Sequence, residues 1–90
     1  MRILKYELEI LDNQTIPIGS MSAKPLSVAE QSGRLMLWVE TDIEHDPSGG
    51  GAINVEIIGT GNYAAAPSMP FIGTVVMSNG FVWHVYAERV

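Results

Sequence analysis

The chain has 90 residues, of which 47 % are apolar, 17 % are charged and none is cysteine, and its formal net charge is −5. That length suits one domain and is too short for two, and the lack of cysteine excludes disulfide staples and thiolate metal sites and favours a reducing compartment for so small a domain. The cations Arg2, Lys5, Lys24, Arg34 and Arg89 are scattered along the sequence, which argues against duplex nucleic acid, because phosphate backbones are held by clustered Lys and Arg.

A chain of this size buries only roughly 60–65 % of the surface it exposes when unfolded. Its mean hydropathy is nevertheless +0.17, a rich apolar supply for a thin core. Surplus apolar side chains must meet a ligand or another subunit, so a homo-oligomer is expected. No stretch approaches the roughly 18 apolar residues of a membrane span. The start, Met1-Arg2-Ile3-Leu4-Lys5-Tyr6-Glu7, has no long apolar signal core, so a soluble, unexported protein is expected, without a membrane partner.

Glycine and proline divide the sequence into short runs rich in β-branched and aromatic residues, and no segment carries a useful 3.6-residue period. The first run, 2–11, alternates: Leu4, Tyr6, Leu8 and Ile10 share one face, and Ile3, Lys5, Glu7 and Glu9 share a wetter one. Asp12-Asn13-Gln14 then turns into a short strand carrying Ile16 and Ile18. Residues 20–23 make a turn at most. A hairpin follows, 25–31 and 34–42 around Ser32-Gly33, a two-residue loop that sets Val28 opposite Leu37 and Leu26 opposite Val39. Met36 and Trp38 then show on the other face.

Residues 46–51, Asp-Pro-Ser-Gly-Gly-Gly, read as a flexible loop. The next strand, 52–58, points Ile53, Val55 and Ile57 inward, and 59–70 is the longest irregular stretch. The closing hairpin, 71–78 and 81–88, turns at Asn79-Gly80, the dipeptide favoured in type I′ turns. That register pairs Val76 with Trp83 and Thr74 with Val85 on one face. On the other it pairs Val75 with His84, Met77 with Val82 and Gly73 with Tyr86. Both faces are largely apolar and need cover. The expected fold is therefore a single all-β domain over 1–90, a small antiparallel barrel or sandwich of about six to seven short strands with little or no helix.

The chemistry-bearing residues are few. His84 lies between Trp83 and Val85 and reads as a packed, hydrogen-bonded side chain rather than a base or ligand. His45 sits in the acidic loop Glu44-His45-Asp46 and reads as solvated, since tetrahedral metal sites want about four converging ligands. No serine stands in a Gly-x-Ser-x-Gly elbow, and Glu7 with Glu9 is explained by a wet strand face. No catalytic residue, no metal site and no cofactor is expected, and no enzyme. The binding candidates are Gly59, Thr60, Gly61, Asn62 and Tyr63. Paired glycines let backbone amides approach an anion, Thr60 and Asn62 add side-chain donors, and Tyr63 offers a ring for base stacking. There is no following lysine and no helix start, so this is neither a P-loop nor a dinucleotide fingerprint. Trp38, with Arg34 at its rim, is the other candidate contact surface.

Several segments together resemble a family of small proteins of unknown function common in bacteriophages and prophages. They are Ile3-Leu4-Lys5-Tyr6-Glu7-Leu8-Glu9, Leu26-Ser27-Val28, Leu35-Met36-Leu37-Trp38-Val39, Ile57-Ile58-Gly59-Thr60-Gly61-Asn62, Phe71-Ile72-Gly73-Thr74-Val75 and Val82-Trp83-His84-Val85-Tyr86. The likeness covers nearly the whole chain and is most specific in the two closing segments. It supplies no catalytic residues. It implies a host bacterial cytoplasm and, by analogy with other small phage proteins, an accessory or counter-defence role. The expected function is binding as a homo-oligomer, with sequestration of a small nucleotide-type ligand as its specific form. The alternatives are inhibition of a host protein through an acidic, aromatic surface, and a minor place in the virion.

Overall fold

A computed structural model describes residues 1–42 and 49–90. The loop residues Glu44, His45 and Asp46 lie outside the described residues, as does the first half of the expected 46–51 loop. The described residues form strands β1 (Arg2–Leu8), β2 (Asn13–Pro17), β3 (Lys24–Gln31), β4 (Arg34–Thr41), β5 (Ala52–Gly59), β6 (Phe71–Val76) and β7 (Val82–Arg89), and no helix. They pair in two antiparallel sheets, one ordered β1-β4-β3 and the other β2-β5-β7-β6, with no closure into a barrel. Since the described part has no helix, it also has none long and apolar enough to cross a membrane.

Period-two patterning builds the core. Leu35, Leu37 and Val39 of β4 and Ile53, Val55 and Ile57 of β5 are buried, as are Val85 and Ala87 of β7. These residues, from both sheets, belong to one buried cluster with Leu8, Ile18, Ala23, Val75 and Met77. Each large aliphatic side chain so enclosed stabilises the fold by about 1.5–3 kcal/mol. Outside the strands, the 20–23 segment is a turn in which the Ala23 amide donates to the Ser20 carbonyl. Where the chain leaves β1, the Gln14 amide donates to the Glu9 carbonyl while its own carbonyl accepts from the Glu9 N–H. This clamp fixes the passage from the first sheet to the second.

The two hairpins depart from expectation in instructive ways. In β3 and β4 the Ser32-Gly33 loop forms as expected, with φ of 54° and 78°, the double positive φ of a type I′ turn. Val28 lies opposite Leu37, but Val39 pairs with Pro25 and the register shifts between Pro25 and Ser27. Leu26 is thus an extra residue in a bulge rather than the partner of Val39. Proline has no N–H for the ladder, and bulges are where such residues are tolerated.

In β6 and β7 the register differs by one residue from that expected: Val76 pairs with Val82, Val75 with Trp83, Thr74 with His84 and Gly73 with Val85. The loop is Ser78-Asn79-Gly80, closed by a Gly80 amide donating to the Met77 carbonyl and a Met77 amide donating to Phe81. Gly80 alone of these has positive φ, 95°, so the loop is a three-residue turn ending in a left-handed glycine, not a type I′ pair. Core patterning explains the choice. A one-residue slip exchanges the faces of a strand's partners. The two-residue loop would have set His84 beside Val75 on the buried face, whereas the observed loop sets Trp83 there and turns His84 outward.

Candidate functional site

The outward faces of the two sheets differ in what they present. On the three-stranded sheet, Lys5, Trp38 and Ser27 form one cross-strand row and Glu7, Met36 and Ala29 the next. Lys5 Nζ reaches across β4 to donate to Gln31 Oε1 at 2.6 Å, and the Arg34 guanidinium pairs with Glu7 at 3.0 Å. Met36, in the row between these ties, is buried although it faces outward. Trp38 stays half-buried in the same layer.

On the four-stranded sheet the outward row runs Asn13, Glu56, Tyr86, Phe71. Phe71 meets the Tyr86 ring edge-on, with centroids 5.3 Å apart. The next row carries Ile58, His84 and Thr74. His84 bonds the Thr60 hydroxyl through Nε2 at 2.7 Å and the Thr74 hydroxyl through Nδ1 at 2.9 Å. Hydroxyls both donate and accept, so this pair suits the imidazole in either tautomer. His84 is therefore a structural cross-tie between β6, β7 and the turn after β5, in line with the packed reading, although it lies opposite Thr74 rather than Val75.

Residues 59–63 form a tight corner at the end of β5. The Asn62 amide donates to the Gly59 carbonyl, and the Thr60 amide donates to Val82. A side chain at Gly59 would press on Trp83 at 3.0 Å and on the Asn62 amide at 2.7 Å, so the glycine here serves close packing. Two of the amides suited to an anion nest are thus spent within the protein, and the Thr60 hydroxyl is spent on His84. Tyr63 stands fully exposed beyond the corner.

From this corner the chain continues along residues 60–70 to reach β6. Gly59, Asn62, Tyr63, Ala64 and Ala65 line a cavity of about 250 Å³ with Asp12, Asn13 and Glu56. Glu56 Oε2 is buried there without a hydrogen-bond partner among the described residues. A larger, mainly apolar cleft of about 490 Å³ lies elsewhere, near Ala23, Pro25, Ile72 and Ala87.

The expected site residues are thus divided. Gly59, Thr60, Gly61, Asn62 and Tyr63 lie together on the four-stranded side, whereas Trp38 and Arg34 belong to the outward layer of the other sheet. Sequence reasoning missed Asp12 and Glu56. A signal was available for Glu56, an acid at an outward position in the apolar run Ile53-Asn54-Val55-Glu56-Ile57-Ile58, followed by a connection too long for a hairpin. Among the described residues, no group of three or more His, Cys, Asp or Glu is placed to hold a metal ion.

No curated protein and no solved structure is significantly similar to the chain. A family defined as a domain of unknown function, DUF7352, matches all of residues 1–90. The chain belongs to this family.

Proposed function

We propose that this is a non-catalytic binding protein that works as a homo-oligomer, an accessory factor of phage type acting in the host bacterial cytoplasm. The observation that carries this reading is the outward face of β6 and β7. Val76 is 71 % and Phe71 54 % exposed. Val82 and Tyr86 lie half-buried beside them. Large apolar side chains gathered on one face, rather than scattered singly, mark a surface that another molecule covers.

Two kinds of partner follow. The first is a second copy of the chain, with a small nucleotide-type ligand held near Gly59, Asn62 and Tyr63, where the cavity beside the corner gives it room. The second is a host protein docked on the same aromatic and aliphatic face, its basic surface drawn by the net charge of −5. Light scattering at micromolar concentration tests the first. A mass that is a multiple of 9.8 kDa is expected, and a strict monomer removes self-association. A host-lysate capture that loads the β6 and β7 face of a monomeric protein supports the second reading in its place.

A further inference from the structure

The two sheets meet along a seam between β3 and β6, an edge strand of each. Midway along, the seam is shut. A Cβ at Gly73 would come within 3.0 Å of the Val28 side chain, and the Ser78 amide donates to the Glu30 carboxylate. Towards the start of both strands it opens. β3 is irregular between Pro25 and Ser27, and β6 between Phe71 and Gly73. A bulge adds a residue to one strand and bends it, so a bulge in each edge spreads the two apart. The mainly apolar cleft of about 490 Å³ lies at this opening, a size that suits a small molecule. Ala23 and Ala87 belong to the buried cluster and Ile72 packs against it, so the floor of the cleft is the core itself.

The charges at the mouth set the other half of the ligand. Lys24 and Arg89 border the cleft, two of only five cations in a chain of net charge −5. Lys24 stands opposite Glu40 in the ladder, yet Arg34 with Glu7 is the one ion pair among the described residues. Arg89 lies opposite the buried Ile53 and so leaves β7 on its inward side. Its guanidinium donates to the Met21 carbonyl, which occupies one of five N–H donors. Glu88 also borders the cleft, at a position beside Asn54 that belongs to the outward face. Two cations that find no carboxylate in an acidic chain, set over an apolar hollow, complement a molecule with an apolar body and an anionic end. Among the described residues no aromatic ring lines the cleft, so the body it suits is aliphatic rather than a stacked plane.

We propose that this cleft binds a small amphipathic carboxylate, an acyl chain whose body lies on Ala23, Ile72 and Ala87 and whose carboxylate is held by Lys24 and Arg89. The site is separate from the corner at 59–63 and does not use the outward face of β6 and β7. It therefore stands or falls independently of self-association and of a nucleotide-type ligand.

Titration calorimetry on the full chain tests it with hexanoate, octanoate and decanoate, and with octylammonium as the probe of opposite charge. Octanoate should bind and octylammonium should not. Affinity should rise along the series, on the order of tenfold for every two methylenes buried. Lys24 makes no ion pair or side-chain hydrogen bond among the described residues, so Lys24→Gln should keep the parent melting temperature. It should bind octanoate about fivefold more weakly, as the loss of one partly exposed charge contact implies. Lys5→Gln, which removes a cation from the outward face of the three-stranded sheet, should bind as the parent does. Amide chemical shifts on adding octanoate should move at residues 22–24, 72 and 87–89 and stay fixed at 59–63. The inference is overturned if no carboxylate binds, if octylammonium binds as tightly as octanoate, or if chain length has no effect. Equal binding by Lys24→Gln, or shifts confined to 59–63, would overturn it too.

Discussion

The two outward faces of this sandwich are built from similar strands and differ in how they cover their apolar side chains, although Ile3 at the edge of the three-stranded sheet is also exposed. On the three-stranded sheet, Lys5 with Gln31 and Arg34 with Glu7 span the strands, and Met36 is buried. On the four-stranded sheet, Phe71 and Val76 stand largely in solvent, a hydroxyl-tied histidine lies among them, and Glu56 keeps a buried oxygen with no hydrogen-bond partner among the described residues. The first face has the marks of a wet exterior, with snorkelling cations over apolar stems. The second keeps exposed groups that a solitary protein gains nothing by keeping, and function is therefore assigned to it.

The contrast can be broken most forcibly by charging the second face. Phe71→Asp combined with Val76→Asp removes no core contact, since both side chains are mostly exposed, so the variant should fold. Its light-scattering mass should fall from a multiple of 9.8 kDa to the single-chain value. The same pair of aspartates at Lys5 and Arg34 should leave the assembly intact.

A smaller effect is expected where the second face is tied to the fold. His84→Ala cuts both threonine bonds, each worth about 1 kcal/mol net. The denaturant midpoint should therefore report a loss of about 1–2 kcal/mol. On the first face, Lys5→Ala and Arg34→Ala each remove one exposed tie. Such ties contribute about 0–1 kcal/mol, so each variant should stay within about 0.5 kcal/mol of the parent. A loss at Arg34 equal to that at His84 would erase the distinction between the faces.

The mildest test concerns Tyr6, which packs against the core from β1. Burial raises its phenol above the usual 10.0 by disfavouring the charged form. Folding then favours the protonated ring, so its contribution to stability is complete below the unfolded value and fades as pH rises through the higher folded one. Parent and Tyr6→Phe should show the same pH dependence near neutrality. Above pH 10.0 the parent should lose stability faster, as read from unfolding midpoints.

Much of this architecture was legible in the residues, because two-residue alternation is a local signal. Ile53, Val55 and Ile57 could be placed inward from their spacing alone, and the Ser32-Gly33 turn with its Val28 and Leu37 pair followed from loop length. The bulge at Leu26 was not legible, since it depends on how the chain absorbs a missing N–H at Pro25. The closing register was misread because Asn79-Gly80 satisfies local turn preference while the core demands Val75, Met77 and Val85 on one face. The candidate site was legible only as a glycine-bearing corner. Its acidic character required Asp12 and Glu56 to be brought to Tyr63 across three chain segments, a juxtaposition that no spacing encodes.

The most direct measurement is amide hydrogen exchange followed at low and high protein concentration. If the outward face of the four-stranded sheet is where molecules meet, peptides from β6 and β7 should become slower to exchange as concentration rises, while those from β1 and β3 stay unchanged. Exchange independent of concentration everywhere, or protection confined to β1 and β3, would contradict the account.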